Sequence, residues 1–250
     1  MLLARRMAVA TATGIWMVAL STAAIAATGD ARGLTATGPA AAAQPVVQPP
    51  LLDRVMREGT TPLPTPLDSG AVSVETALAR RRSVREFAER PLTAAEISQL
   101  LWAAQGVTST DGRRTAPSAG ALYPLEIYVA TAEGVGHHLP AGHLLEPRLS
   151  GDLRSRLSRA ALSQPSVSAA PAIFIITGVA ERTRVKYGDR AERYIWLEAG
   201  HAAQNLLLQA TALGLAGVPI GAFSDEALRR ELNLPNGEMP LYLVPIGAPR

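Results

Sequence analysis

The chain has 250 residues, 48% of them hydrophobic and 18% charged, with a formal net charge of +3. That length fits one domain of ordinary size plus an extension, and the absence of cysteine excludes catalytic thiols, disulfides and thiolate metal sites. Arg5 and Arg6 are the only charges in residues 1–26, so the remainder carries +1 and has no excess of positive charge for nucleic acid.

The N-terminus reads as an export signal. Arg5-Arg6 supply its charged start, Met7 to Ile25 is uncharged and mostly apolar, and Ala24-Ile25-Ala26 places small residues where a signal peptidase cuts, after Ala26. The same run is long enough to cross a bilayer of about 30 Å, so an uncleaved anchor is the alternative, one that its many Ala, Thr and Gly residues weaken. The paired arginines also admit twin-arginine export, although Met7-Ala8-Val9 lacks the usual following pattern. No other segment calls for a membrane. Residues 27–72, rich in Ala, Gly, Thr and Pro with Pro62, Pro64 and Pro66 at its end, are expected to form a flexible linker. The folded domain is expected to span 73–250.

Ser73 caps a predicted helix from Val74 to Arg81. Just past it, Arg81-Arg82-Ser83-Val84-Arg85 gathers guanidiniums and a hydroxyl that together can hold a phosphate dianion, or else form a solvated face that complements the helix dipole. Thr93-Ala94-Ala95-Glu96 is a capping box, and Ile97, Leu100, Leu101 and Ala104 carry the helical spacing until Gly106. Pro117-Ser118-Ala119-Gly120 has no bulky side chain, which suits backbone laid against a ligand or a plain turn. It also approaches the Gly-x-Ser-x-Gly nucleophile elbow, but the first glycine is missing and no buried strand precedes it. Leu125 to Ala130 alternates as a strand, and His137-His138 on an extended segment would face opposite ways, so together with His143 they make a poor metal site.

Gly151 to Leu162 reads as an exposed amphipathic helix, and Ala172 to Gly178 as a strand buried on both faces, through Ile173-Phe174-Ile175-Ile176. Lys186-Tyr187 lies in a highly charged stretch, where a proton-transfer pair and an exposed loop are both open. Glu192 to Leu213 is the longest predicted helix. Its apolar face runs through Trp196, Gly200, Ala203, Leu207 and Ala210, and a polar one through Tyr194, Glu198, His201, Asn205 and Gln209. A short strand near Val218, a helix over Asp225 to Leu232 and a strand from Leu241 to Gly247 complete the chain. Helices and strands mix without regular βαβ alternation, which indicates an α+β sandwich. There is no Gly-x-Gly-x-x-Gly turn and no P-loop.

Four ordered segments together resemble the FMN-dependent nitroreductase family, and in particular its SagB-like branch, the azoline (thiazole/oxazole) dehydrogenases. They are the arginine cluster, Pro117 to Pro124, Glu198 to Asn205, and Gly214 to Phe223. The resemblance implies a nitroreductase-like fold, a central mixed sheet flanked by helices, in an intertwined homodimer with FMN as cofactor. It assigns the FMN phosphate and ribityl chain to Arg81, Ser83 and Arg85, with Arg82 beside them, and more weakly to Arg250. Pro117, Ser118, Ala119 and Gly120 would approach the cofactor from the other subunit, and Pro219, Ile220, Gly221 and Ala222 would bring a backbone N–H to the flavin N5. Ala121, Tyr123 and Gly221 depart from typical nitroreductases toward the SagB-like branch. Lys186 and Tyr187 match a pair thought to assist proton removal in azoline dehydrogenases.

Three functions follow from this resemblance: oxidation of a small-molecule or peptide substrate with hydride transfer to FMN, reduction of nitro or quinone compounds by NAD(P)H, and non-catalytic flavin binding. An export signal favours the first, because NAD(P)H is not freely available outside the cytoplasm.

Overall fold

A computed structural model describes residues 49–250, which lie within one compact unit, Val47–Arg250. The expected export signal and residues 27–48 of the expected linker fall outside the described residues.

The rest of that linker is structured, which corrects the expected boundary at 73. Helix α1 (Leu51–Glu58) buries Leu51, Leu52 and Val55 in the main core, and β1 (Thr61–Pro62) pairs with Leu144 and Leu145 at the edge of the sheet. Three apolar residues on one face of two helical turns are too few to stand out as a period, and the prolines that follow are compatible with an edge strand.

Helices α2 (Val74–Arg80) and α3 (Ala94–Gln105) start where expected, with the Ser73 side chain accepting from Thr76 N–H and both halves of the Thr93–Glu96 capping box formed. A short 3-10 turn at Ala119–Ala121 leads into β2 (Leu125–Ala130). Then come β3 (Gly134–Leu139) and β4 (Leu144–Ser150), a hairpin that Gly134, Gly136 and Pro147 hide from a reading by alternation. Helix α4 (Arg154–Ala160) is shorter than expected and half-buried, because Leu157 and Ala160 pack inward and Leu162 and Ser163 turn left-handed, at φ 56° and 57°. After α5 (Pro165–Ala169) and β5 (Ala172–Val179), α6 (Ala180–Tyr187) carries Lys186-Tyr187 on a helix and not on a loop. The long helix α7 (Ala191–Ala212), β6 (Ala216–Gly217), α8 (Asp225–Glu231) and β7 (Glu238–Gly247) follow.

The seven strands form one sheet in the order β1-β4-β3-β2-β5-β7-β6, with antiparallel strand pairs and a parallel bridge from Ser83 to Gly217 at the β6 edge. Strand β5 shows how the layers are built. Phe174 and Ile176 face α1, α3 and α7, while Ile173 and Ile175 face α4, α5 and α8. All four are fully buried, and each contributes about 1.5–3 kcal/mol by leaving water. Helices therefore cover both faces of an α+β sandwich, and α7 crosses one face with Ile195, Ala199, Ala202, Leu206 and Ala210 turned inward. The expected apolar stripe of α7 divides: Ala203, Leu207 and Ala210 are buried, whereas Trp196 is 59% exposed.

Candidate active site

The expected site residues assemble as two groups. The first lies at the β6 edge. Ser83 bridges Gly217, Val84 N–H donates to Gly217 O at 3.2 Å, Ala88 N–H to Ala248 O at 2.9 Å, and Arg250 N–H to Glu86 O at 3.4 Å. Backbone pairing thus brings the arginine segment beside the chain's last residues and the start of the 217–222 loop. Gly217 allows the close approach, since a Cβ there would fall 2.7 Å from Pro245 O. Among the described residues the guanidiniums of Arg81, Arg85 and Arg250 have no carboxylate partner. Arg82 is different: it turns back onto α2, donating to Ala79 O at 3.0 Å and Arg81 O at 2.7 Å. Ile220 pairs both backbone groups with Leu243, so its N–H is committed, and the exposed Gly221 and Ala222 N–H groups are the ones free to meet a ligand.

Three unpaired guanidiniums, an exposed serine hydroxyl and free backbone N–H groups within one edge form a donor set that fits a phosphorylated flavin.

The second group forms where β2, α6 and the first half of α7 meet. A Cβ on Gly120 would lie 2.9 Å from Tyr187 Oη and 3.0 Å from Lys186 Nζ, so the 117–120 turn and the Lys186-Tyr187 pair are in contact. The turn is conformationally unusual. Gly120, Ala121 and Tyr123 all have left-handed φ, at 64°, 55° and 46°. Arg182, one helical turn before Lys186, fastens α6 to it by donating to Tyr123 O at 3.2 Å while pairing with Glu126 on β2. Tyr187 stacks edge-on against Tyr194 of α7, with ring centroids 4.8 Å apart.

Beneath the turn sit polar side chains that the sequence reading did not join. Glu198, expected on the wet stripe of α7, is 2% exposed. It accepts from Gln105 Nε2 at 3.5 Å, and Arg114 donates to Gln105 Oε1 at 3.1 Å. Burial pushes the Glu198 carboxyl up to about 7, against the opposing pull of Ser118, Gln105 and Arg114. One signal for this group was present in the sequence and unused: Lys186 is the only lysine among the 24 basic residues. Every other cation is an arginine, which cannot lose its proton near neutrality, whereas a lysine can.

The two groups stand apart. Gly217 meets Leu207 and Tyr187 meets Tyr194, contacts separated along α7 by about 20 Å at 1.5 Å per residue. A cavity of 640 Å³ lies along the C-terminal half of α7, bounded by α2, α3 and α7 and lined by Val74, Trp102, Thr115, Asn205 and Leu208. It adjoins α2, whose C-cap is Arg81, and Thr115, two residues before Pro117.

The histidines on β3 do face opposite ways. His137 contacts Glu126 at 2.7 Å, and His138 is buried against His143 at 3.2 Å, where burial lowers it to about 3.

The family model described as Nitroreductase family matches residues 78–248. The nitroreductase-like protein MJ1384 of Methanocaldococcus jannaschii is 45% identical over 186 residues, 72% of this chain and 93% of that protein. The crystal structure of a nitroreductase-like protein from Ralstonia eutropha superposes with a TM-score of 0.70 at 29% identity, over 76% of this chain and 90% of that one. The microcin B17-processing protein McbC of Escherichia coli is 26% identical over 133 residues, 49% of each chain.

Proposed function

The chain belongs to the nitroreductase family, and from that premise we propose that it is an FMN-dependent oxidoreductase of SagB type, which oxidises an organic substrate. One observation carries the reading: the chain's single lysine, with Tyr187 beside it, rests against the backbone of Gly120 in the turn that the family lays on its cofactor. Partial similarity to McbC supports the same branch.

In this reading Arg81, Ser83 and Arg85 hold the phosphate, with Arg250 adding a further cation. Arg82 serves the end of α2 and not the ligand. The Gly221 or Ala222 N–H faces the flavin ring. FMN, when bound, supplies a two-electron acceptor for hydride. Lys186 and Tyr187 receive and relay the proton that the substrate loses. The cavity beside Trp102 and Asn205 has the size of a small organic ligand site.

The site is composite in this proposal. Two groups about 20 Å apart along α7 are brought to one cofactor by a second copy of the chain, whose turn at 117–120 completes the site. The exposed Trp196 and Leu197, with open space over Gly200, supply the apolar and closely approachable face that such a homodimer needs. Export through residues 1–26 is part of the same reading, and the N-terminal sequence of protein recovered from the native host checks it.

The test is an anaerobic visible spectrum of the purified protein with FMN, before and after NADH or NADPH. Flavin bands that persist with NAD(P)H keep the dehydrogenase reading. Bleaching identifies a pyridine-nucleotide-fed reductase instead, and failure to take up FMN removes the cofactor assignment.

A further inference from the structure

We propose that Tyr123 is a positioning residue, gripped between Arg114 and Arg182, which fixes where α6 presents Lys186 and Tyr187. This placement deepens, and rests on, the reading of that pair as the proton-handling groups.

Local preference opposes the conformation of Tyr123. Its φ of 46° lies in the left-handed region, where a Cβ is unfavourable, and Pro124 after it pushes the preceding residue toward extended backbone. Glycine would fit that φ without strain. A tyrosine held there instead must be held by its surroundings, through contacts that a glycine could not make.

Those contacts engage the N–H, the carbonyl and the ring. The Tyr123 N–H donates to Ser118 Oγ at 2.9 Å and closes the turn on itself, while the carbonyl accepts from Arg182 Nη1 at 3.2 Å. The ring is covered by the Arg114 guanidinium, whose Cζ lies 4.5 Å from the ring centroid. Arg114 is half-buried and has no carboxylate partner among the described residues; it donates from Nη1 to Oε1 of the fully buried Gln105 at 3.1 Å. Backbone pairing roots it as well: Arg114 bridges Val107, and the next N–H, of Thr115, donates to Gly106 O at 3.0 Å. A guanidinium taken partly out of water and given to an aromatic face grips more strongly than an exposed one.

Helix geometry carries this grip to the lysine. Arg182 and Lys186 are four residues apart, so they share one face of α6, and both reach the same turn. Arg182 meets it at Tyr123 O, and Lys186 meets it at Gly120, where a Cβ would fall 3.0 Å from Nζ and 3.2 Å from Cδ. The first contact therefore sets the register of the second. Were Tyr123 to relax to extended backbone, its carbonyl would turn away from Arg182, and the face that carries Lys186 would lose that hold on the turn. Gln105, Arg114, Tyr123 and Arg182 thus form an unbroken series of contacts from α3 to α6.

Because Lys186 is the only lysine, the full chain can be read at that one side chain. Reductive dimethylation with isotopically labelled formaldehyde, which keeps the charge, marks Lys186 and the N-terminal amine. The NMR resonance of the Lys186 methyl groups then reports their surroundings, including the Tyr187 ring, whose centroid lies 5.5 Å from Nζ. Spectra are taken on FMN-free protein whose thermal unfolding shows that it is folded. The wild-type resonance is expected away from the position of a free lysine. Tyr123→Leu and Arg114→Met are each expected to move it to that position, and Tyr123→Phe, which keeps the ring, to leave it as in wild type. Arg113→Met removes the same charge one residue away and is expected to shift nothing. A wild-type resonance already at the free position overturns the proposal, as does an unmoved one in folded Tyr123→Leu or Arg114→Met. So does a shift in Tyr123→Phe, or one in Arg113→Met equal to that in Arg114→Met, which marks a field effect. Where Tyr123→Leu does not fold, Arg114→Met against Arg113→Met decides. Titration with FMN is run in parallel: a wild-type protein that takes up no flavin, while its variants show the expected shifts, removes the proton-handling reading and leaves the positioning role standing.

Discussion

The arginine group and the lysine group are held together by opposite means. At the β6 edge, backbone pairing sets the positions, Arg85 and Arg250 remain exposed and Arg81 is half-buried, and none of the three has a carboxylate partner among the described residues, so they are available to whatever arrives. Around Gly120, side chains set the positions: Arg182, Ser118, Glu198, Gln105 and Arg114 fasten a turn whose backbone is left-handed at three residues. The difference separates binding from chemistry. An edge that only has to attract a dianion tolerates mobile cations, whereas a lysine and a tyrosine that exchange protons with a substrate must be placed to within a fraction of an ångström.

The sharpest way to break this division is to remove the lysine. Lys186→Ala is expected to lower turnover by about 10²–10⁴-fold while FMN affinity stays within twofold, and Lys186→Arg should not recover it, because a guanidinium does not give up its proton. Steady-state kinetics beside a flavin-fluorescence titration decide the point, and loss of FMN in Lys186→Ala would merge the two groups into one. The converse substitutions come next. Arg81→Ala or Arg85→Ala is expected to weaken FMN binding by about 10–100-fold, the range of one charge-assisted hydrogen bond, with kcat of the FMN-saturated protein retained. Smaller again is Arg182→Ala, which frees Tyr123 O and one oxygen of Glu126, the other staying with His137. Arg182 is about half exposed and Glu126 keeps His137, so stability should fall by about 1 kcal/mol, but kcat is expected to drop about fivefold without a matching change in KM.

The same division decides what was legible in the sequence. Local patterns were read correctly: Ser73 and Thr93 cap the helices that they precede, and Ile173 to Ile176 is buried on both faces. The arginine group was legible for the same reason, since its donors are contiguous from Arg81 to Arg85. Glu198 was placed on a wet face because nothing within one helical turn buries it. Its partner Gln105 lies 93 positions earlier, and only the packing of α3 against α7 brings the two together. Helix α1 was lost to its short length and flanking prolines, and the β3–β4 hairpin to glycines and a proline that interrupt alternation.

Two glycines give the finest comparison of the groups. Gly221 in the first has open space: a Cβ there meets nothing nearer than Tyr242 Cε1, at 3.7 Å, and its φ is not left-handed. Gly221→Ala is therefore expected to leave stability unchanged or raise it by about 0.5 kcal/mol, through the lower entropy of the unfolded chain. Gly120→Ala meets two obstacles. At φ 64° a Cβ is strained by about 1 kcal/mol, and it would press on Tyr187 Oη and Lys186 Nζ. Both of those atoms are ends of flexible side chains and can move aside, so the melting temperature should register little beyond the backbone strain. Their movement is the more informative consequence. The Tyr187 and Lys186 head groups would shift away from the turn, so turnover should fall further than the stability loss alone can explain. Equal small effects of the two alanines on turnover would show that close contact at Gly120 is packing and not placement.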